Sequence, residues 1–200
     1  MNADLHITGD ADADALLSTD PLALLLGMLL DQQVPMETAF AGPAKLLERI
    51  GPTDSKTADA KKLDVKKIAE YDADELEAVF RVTPSIHRYP GSMAGRTQAL
   101  AASIVENWGG DVTAIWTQGS PDGAEILKRL KALPGFGEQK AKIFLALLGK
   151  QYGVTADGWR ESAGDYGLEG SYRSVADIVD PGSLAKVREF KKAAKAAAKK

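Results

Sequence analysis

One short segment limits what this chain can fold into: residues 133–137 (Leu-Pro-Gly-Phe-Gly), which lie between two apolar stripes of helical spacing, over 126–130 and 141–148. Two glycines around one bulky apolar residue let the chain turn tightly while the middle side chain packs between the helices. The turn ends where a helix begins, and the first N–H groups of a helix attract an anionic oxygen. The segment predicts a helix–turn–helix corner suited to a phosphate, with an ordinary helix–helix corner as the alternative.

The remaining sequence also predicts helices. Asp20-Pro21 is typical of a helix start, and the apolar residues that follow fall on one face at helical spacing: Leu22, Leu25, Leu26, Leu29 and Leu30. Pro35 begins another helix, which Gly51-Pro52 ends. We therefore expect an all-α fold. Further helices are predicted over 72–82, 92–108, from 121 to the corner, over 138–148 and from 181 onward, and irregular structure over 53–62, 83–91 and 149–175.

The residue types that are absent or rare exclude several kinds of site. The chain has no cysteine, which excludes disulfides, thiolate nucleophiles, iron–sulfur clusters and cysteine zinc sites. With only His6 and His87, a histidine-rich metal site is not expected. The apolar run over 22–30 is too short to span a bilayer, and the first twenty residues contain no Lys or Arg. We expect no membrane association and a cytoplasmic protein, on the nucleoid if the source is bacterial.

Charge is distributed unevenly along a chain whose net charge is −3. The first twenty residues contain five Asp, whereas residues 124–150 contain six Lys or Arg and two Glu. From residue 183 onward, seven Lys or Arg accompany one Glu. Two basic segments on an acidic body indicate a localised anionic partner. A solvated helix end is the alternative for the C-terminal segment.

Residues 133–141 resemble the Leu-Pro-Gly-Val-Gly-x-x-x-Ala signature of the helix-hairpin-helix superfamily of base-excision DNA repair glycosylases, which includes endonuclease III, adenine-DNA glycosylase and alkyl-base glycosylases. Residues 28–33 are similar to an early helix of that family, which ends in a glutamine that enters the duplex. Residues 89–96 resemble the joint before its central helix. The resemblance covers about 20–160 and implies a two-lobed helical fold. Within a single unit, 1–200, it implies a helical lobe and core (20–120), the helix-hairpin-helix (121–148), a loop (149–175), and a C-terminal helix and basic tail (181–200).

In that family a catalytic aspartate follows the second hairpin glycine by twenty residues, and here that position is Asp157. The resemblance implies that Asp157 stabilises an oxocarbenium-like sugar or activates water. Trp159 is a candidate wall of the same pocket. Asp157-Gly158 is also a common turn pair, and the family's small polar residue after the aspartate is replaced by Gly158. A surface turn therefore remains the alternative.

The family's Schiff-base lysine is replaced by Gln139, and Lys140 lies one position later, turned by about 100° on a helix. A glutamine amide is not an amine nucleophile, so the sequence predicts a monofunctional enzyme without lyase activity. The expected DNA-binding residues of this region are Gly135, Phe136, Gly137, Gln139, Lys140 and Lys142.

Two further segments supply candidates. Gln32 and Gln33 end an apolar helix, and they either fill the gap left by a flipped nucleotide or cap the helix. A proline-bounded loop carries His87, Arg88 and Tyr89. These side chains are predicted either to line a pocket or to belong to an ordinary surface loop.

The leading hypothesis is a monomeric glycosylase that flips a damaged or mispaired base out of duplex DNA and hydrolyses its N-glycosidic bond. No cofactor is expected, and binding of a monovalent cation at the hairpin is kept as an alternative. A non-catalytic helix-hairpin-helix DNA-binding protein is the alternative. A helical interaction domain without a nucleic-acid role is the third possibility.

Overall fold

A computed structural model describes residues 3–51 and 62–197. Helices form where apolar residues recur at helical spacing behind a capping aspartate or a proline. Asp20, for example, accepts the N–H of Leu22 and so begins α2. The helices are α1 (Ala11–Thr19), α2 (Pro21–Leu30), α3 (Met36–Ile50), α4 (Val65–Glu70), α5 (Ala73–Arg81), α6 (Pro90–Trp108), α7 (Ala114–Thr117), α8 (Gly123–Lys131), α9 (Glu138–Gln151), α10 (Trp159–Ala163) and α11 (Pro181–Ala197).

Helix α2 forms the centre of the core. Its residues from Leu22 to Leu30 are all buried, and they contact α1, α3, α6 and α9. On one side α4 and α5 pack against α6. On another, α8 and α9 pack against each other, and α10 packs against both. The C-terminal end of α2 therefore lies where several helices meet, with its last carbonyl groups directed toward α9.

The expected all-α class is confirmed: within residues 3–51 and 62–197 the regular elements are helical. The predicted corner is present between α8 and α9. The expectation of irregular structure over 149–175 is wrong in part, because α10 and a 3-10 turn at Gly164–Gly167 form there, and a second 3-10 turn, Val175–Asp177, begins at its last residue. The expected loop over 53–62 lies, up to residue 61, outside the described residues, as do the last three residues of the basic tail.

Of the helices in the described ranges, none alone has both the length and the apolar character of a membrane span. Taken together, α1 and α2 meet the criteria of length and composition, but they are bent by 115° at their junction.

Candidate nucleic-acid interface

The corner between α8 and α9 separates buried side chains from exposed backbone. Leu133 and Phe136 are buried, and the Phe136 ring stacks edge-on against Phe144 at a centroid distance of 6.0 Å. Gly135 and Gly137 are exposed, and Gly135 adopts a φ of +81°, a conformation that favours glycine. The Phe136 side chain, expected among the DNA-binding residues, is thus placed in the core. What the corner presents outward is main chain.

The exposed end of α9 leaves hydrogen-bond donors for an external acceptor. The first helical bond of α9 runs from the Ala141 N–H to the Gly137 carbonyl. The N–H groups of Glu138, Gln139 and Lys140 precede that bond, and Gly137 has no side chain with which to cap them. A phosphate oxygen fits such a set of donors because the helix dipole is positive at this end.

The two lysines expected to add charge here are engaged elsewhere. Lys140 is largely buried, and its Nζ donates to the carbonyls of Met28 (2.9 Å) and Leu29 (2.7 Å), at the end of α2. Burial lowers the pKa of Lys140 to about 8. Lys142 Nζ lies 2.8 Å from Glu138 Oε1, so its charge is paired with a carboxylate. Lys140 therefore ties the corner to α2 instead of extending toward a phosphate.

The turn between α2 and α3 places one glutamine inward and the other outward. Gln32 Nε2 donates to the Leu29 carbonyl at 2.7 Å, while Gln32 Oε1 accepts from Arg96 Nη1 at 2.7 Å. Gln33 is exposed and has a φ of +56°, which is unusual for a residue with a side chain. Its Oε1 accepts from the Tyr89 hydroxyl at 3.2 Å. The fold thus holds Gln32 in place and presents Gln33 at the surface.

The loop that carries His87, Arg88 and Tyr89 supports this turn. His87 is 1% exposed; its Nε2 lies 3.0 Å from the Gln32 carbonyl, and its Nδ1 accepts the Tyr89 N–H at 3.0 Å. The neutral tautomer with hydrogen on Nε2 satisfies both bonds. Burial, together with the nearby positive charges, lowers the pKa of His87. Arg88 and Tyr89 are exposed beside Gln33, with the guanidinium 5.5 Å from the tyrosine ring centroid.

Asp157 and Trp159 lie at the other end of the α8–α9 pair. The Asp157 carbonyl accepts the N–H of Gly123, the first residue of α8, at 2.7 Å, whereas the corner follows the last residue of α8. At 1.5 Å per residue, nine-residue α8 separates these ends by about 13 Å. Trp159 is buried with its ring against Gly149. The geometry therefore does not bring Asp157 together with Gln33 and the corner.

Three residues at the interface were not singled out from the sequence. Arg96 holds Gln32, and the Tyr166 hydroxyl accepts from exposed Gln139 at 2.9 Å. Asp31 is the C-cap residue of α2; its carboxylate lies 3.5 Å from Lys191 Nζ, and its negative charge favours the charged form of Lys140. The sequence contained a signal for Asp31, since it directly precedes Gln32 at the end of an apolar helix.

In the part of the chain that the structure describes, no group of three or more His, Cys, Asp or Glu side chains is placed to hold a metal ion. A comparison with models of known protein families finds no match, and a comparison with curated proteins finds no similar sequence. The functional inference therefore depends on the sequence motif and on the geometry of the corner and of the α2–α3 turn.

Proposed function

We propose that this protein binds duplex DNA through the corner at residues 133–137, the start of α9 and the adjoining α2–α3 turn, at sites that contain a damaged or mispaired base. The main support for the proposal is that the corner and Gln33, which come from distant parts of the chain, lie close together. Lys140 joins them at the end of α2. We name this surface, with exposed Arg88, Tyr89 and Arg96, the recognition face.

The two parts of the recognition face suit different parts of a duplex. Main-chain N–H groups at the start of α9 suit a backbone phosphate, which fixes position without reading sequence. Gln33 suits the base stack, because its side chain is exposed and its amide can replace the hydrogen bonds of an extruded nucleotide. The aromatic ring of Tyr89, 42% exposed beside it, offers a surface for stacking.

The finer fold assignment belongs to the same proposal. The packing of α4 and α5 on α6, and of α8 and α10 on α9, gives two groups of helices, and α2 contacts one through α6 and the other through α9. Such a division agrees with the two-lobed helix-hairpin-helix arrangement that the sequence motif implies.

Hydrolysis of an N-glycosidic bond is the second candidate function, and the position of Asp31 favours it. A carboxylate close to the sugar stabilises positive charge in the transition state or activates water. Asp31 lies at the recognition face, next to Gln32 and with its carboxylate 3.5 Å from Lys191 Nζ, whereas Asp157 lies at the far end of α8. If the protein excises bases, Asp31 is the carboxylate that the geometry favours, and Gln139 provides no amine for a Schiff base.

Two measurements test these functions. Fluorescence anisotropy with intact, mismatched and abasic duplexes tests binding; wild-type protein that binds none of them at low salt contradicts the whole proposal and leaves a helical interaction domain. Excision assays on a panel of lesions then compare wild type with Asp31→Asn and Asp157→Asn. Binding without base release identifies a non-catalytic protein. Release that depends on Asp157 and not on Asp31 overturns the assignment of the carboxylate.

A further inference from the structure

The C-terminal helix α11 passes directly over the turn that presents Gln33. Arg188 pairs with Glu37 at the start of α3, and Lys191 Nζ lies 3.5 Å from Asp31 Oδ2 and 3.6 Å from Met36 Sδ. These contacts lie on both sides of Gln33 in the sequence. Since both ends of the turn contact one stretch of α11, the helix lies alongside the recognition face.

Beyond Lys191, α11 extends away from the body of the protein. Leu184 and Val187 are buried, whereas every described residue after Lys191 is exposed. This part of the helix consists of alanines with Lys192 and Lys195, so it has no apolar stripe with which to pack against the core. Positive charge near a helix C-terminus is favourable by itself, but that effect does not explain why the helix continues past its last packing contact.

We propose that the projecting end of α11 is a second DNA-contacting element, which places Lys192 and Lys195 on phosphates of the duplex bound at the recognition face. This inference rests on the proposed function. The partner is a polyanion because the exposed end carries positive charge only, and it is the same duplex because the helix adjoins Gln33. The chain thereby obtains phosphate contacts that Lys140 and Lys142, already engaged, do not supply.

The salt dependence of binding distinguishes this element from general electrostatic attraction. Each lysine that neutralises one phosphate contributes about 0.9 to the slope of log K against log salt concentration. The double variant Lys192→Gln/Lys195→Gln is expected to reduce that slope by about 2 and to weaken duplex binding about ten-fold at moderate salt. Both residues are exposed, so thermal unfolding should be unchanged.

A matched control comes from Lys62→Gln/Lys66→Gln, which removes the same charge elsewhere. Lys62 adjoins Leu63, whose N–H binds Asp20 at the start of α2, and Lys66 lies against Gly110, just beyond the end of α6. The recognition face occupies the opposite ends of both helices.

Three outcomes are decisive. A reduced slope for the α11 variant, with the control near wild type, supports the proposal. Equal slopes for the two variants overturn it while leaving the proposed function intact, provided that Gly137→Ala still weakens binding. Wild-type protein that binds no duplex overturns both.

Discussion

The two glycines of the corner should respond differently to the same substitution, one in stability and the other in DNA binding, because they serve different purposes. Gly135 adopts a φ of +81°, and a Cβ there would lie 2.4 Å from Leu29 Cδ1, a fully buried side chain. Gly137 adopts a φ of −78°, and a Cβ there would meet no atom within 4 Å. Gly135→Ala therefore perturbs the fold, whereas Gly137→Ala perturbs only the exposed surface.

The expected magnitudes follow from these geometries. A left-handed conformation costs a residue with a Cβ about 1–2 kcal/mol, and forcing a buried neighbour to move adds about 1–3 kcal/mol. Gly135→Ala should thus lower the free energy of unfolding by about 2–5 kcal/mol and Tm by about 4–20 °C. Gly137→Ala should change the free energy of unfolding by less than about 1 kcal/mol, because alanine restricts the unfolded chain but is a poorer N-cap for α9 than glycine.

DNA binding should separate the two roles. In Gly137→Ala a methyl group stands beside the amides at the start of α9, where it should prevent a phosphate from reaching them. The loss of one hydrogen bond to a charged phosphate is worth about 1.5–3 kcal/mol, or about ten- to a hundred-fold in Kd. Urea unfolding and anisotropy titrations on both variants give the two readouts. Undiminished stability of Gly135→Ala refutes the packing argument. Undiminished DNA binding by a folded Gly137→Ala refutes the docking of a phosphate on the main chain.

Three further predictions concern charged groups. Glu138→Gln should tighten duplex binding about two- to five-fold at low salt in anisotropy titrations, since it removes a negative charge from the corner and releases Lys131 and Lys142 from their ion pairs; unchanged or weaker binding contradicts this. The pKa of His87 is lowered on folding, so the unfolded chain binds the proton first as the pH falls. Above about pH 6.5, the free energy of unfolding measured in urea should therefore not depend on His87. Below that pH, down to the folded-state pKa, it should fall by up to about 1.4 kcal/mol per pH unit. His87→Gln should remove this dependence. Lys150→Met should lower the free energy of unfolding by about 3 kcal/mol in the same assay, because it leaves the buried Asp177 carboxylate without the ammonium 2.6 Å away, whereas Lys150→Met/Asp177→Asn should recover part of that loss.

The elements that the sequence predicted are those whose signals are local. An aspartate followed by proline starts α2, and apolar residues at helical spacing continue it until Leu30. Helix α1 was not predicted, because its aspartates entered only the charge count. In the structure Asp10 caps α1, and buried Asp14 accepts the N–H groups of Ile7 and Thr8. A carboxylate that satisfies backbone donors in this way is indistinguishable in sequence from a solvated one.

The motifs of the recognition face could be predicted from the sequence, but the contacts that bring them together could not. The glycine corner and the glutamine pair have local motifs, but the bond that joins them does not. Lys140 binds the Leu29 carbonyl across 111 positions of sequence, and Arg96 binds Gln32 across 64. These contacts depend on the packing of α2 against α6 and α9. The positive charge of Lys140 near the corner therefore predicted a phosphate ligand, whereas tertiary packing gives the Lys140 ammonium a backbone carbonyl as its partner.

The position of Asp157 shows why a matching count of residues does not fix a place in space. Helix α9 has 14 residues and rises about 21 Å from the corner, which leaves 152–157 to return. Six residues reach at most about 21 Å when fully extended, so a return to the corner would require a straight strand. Instead Gly153 turns at a φ of +74°, and the Val154 N–H binds the Leu148 carbonyl, which holds the loop at the far end of α9. Of the two aspartates, Asp31 and not Asp157 therefore lies at the recognition face, which it reaches from the end of α2.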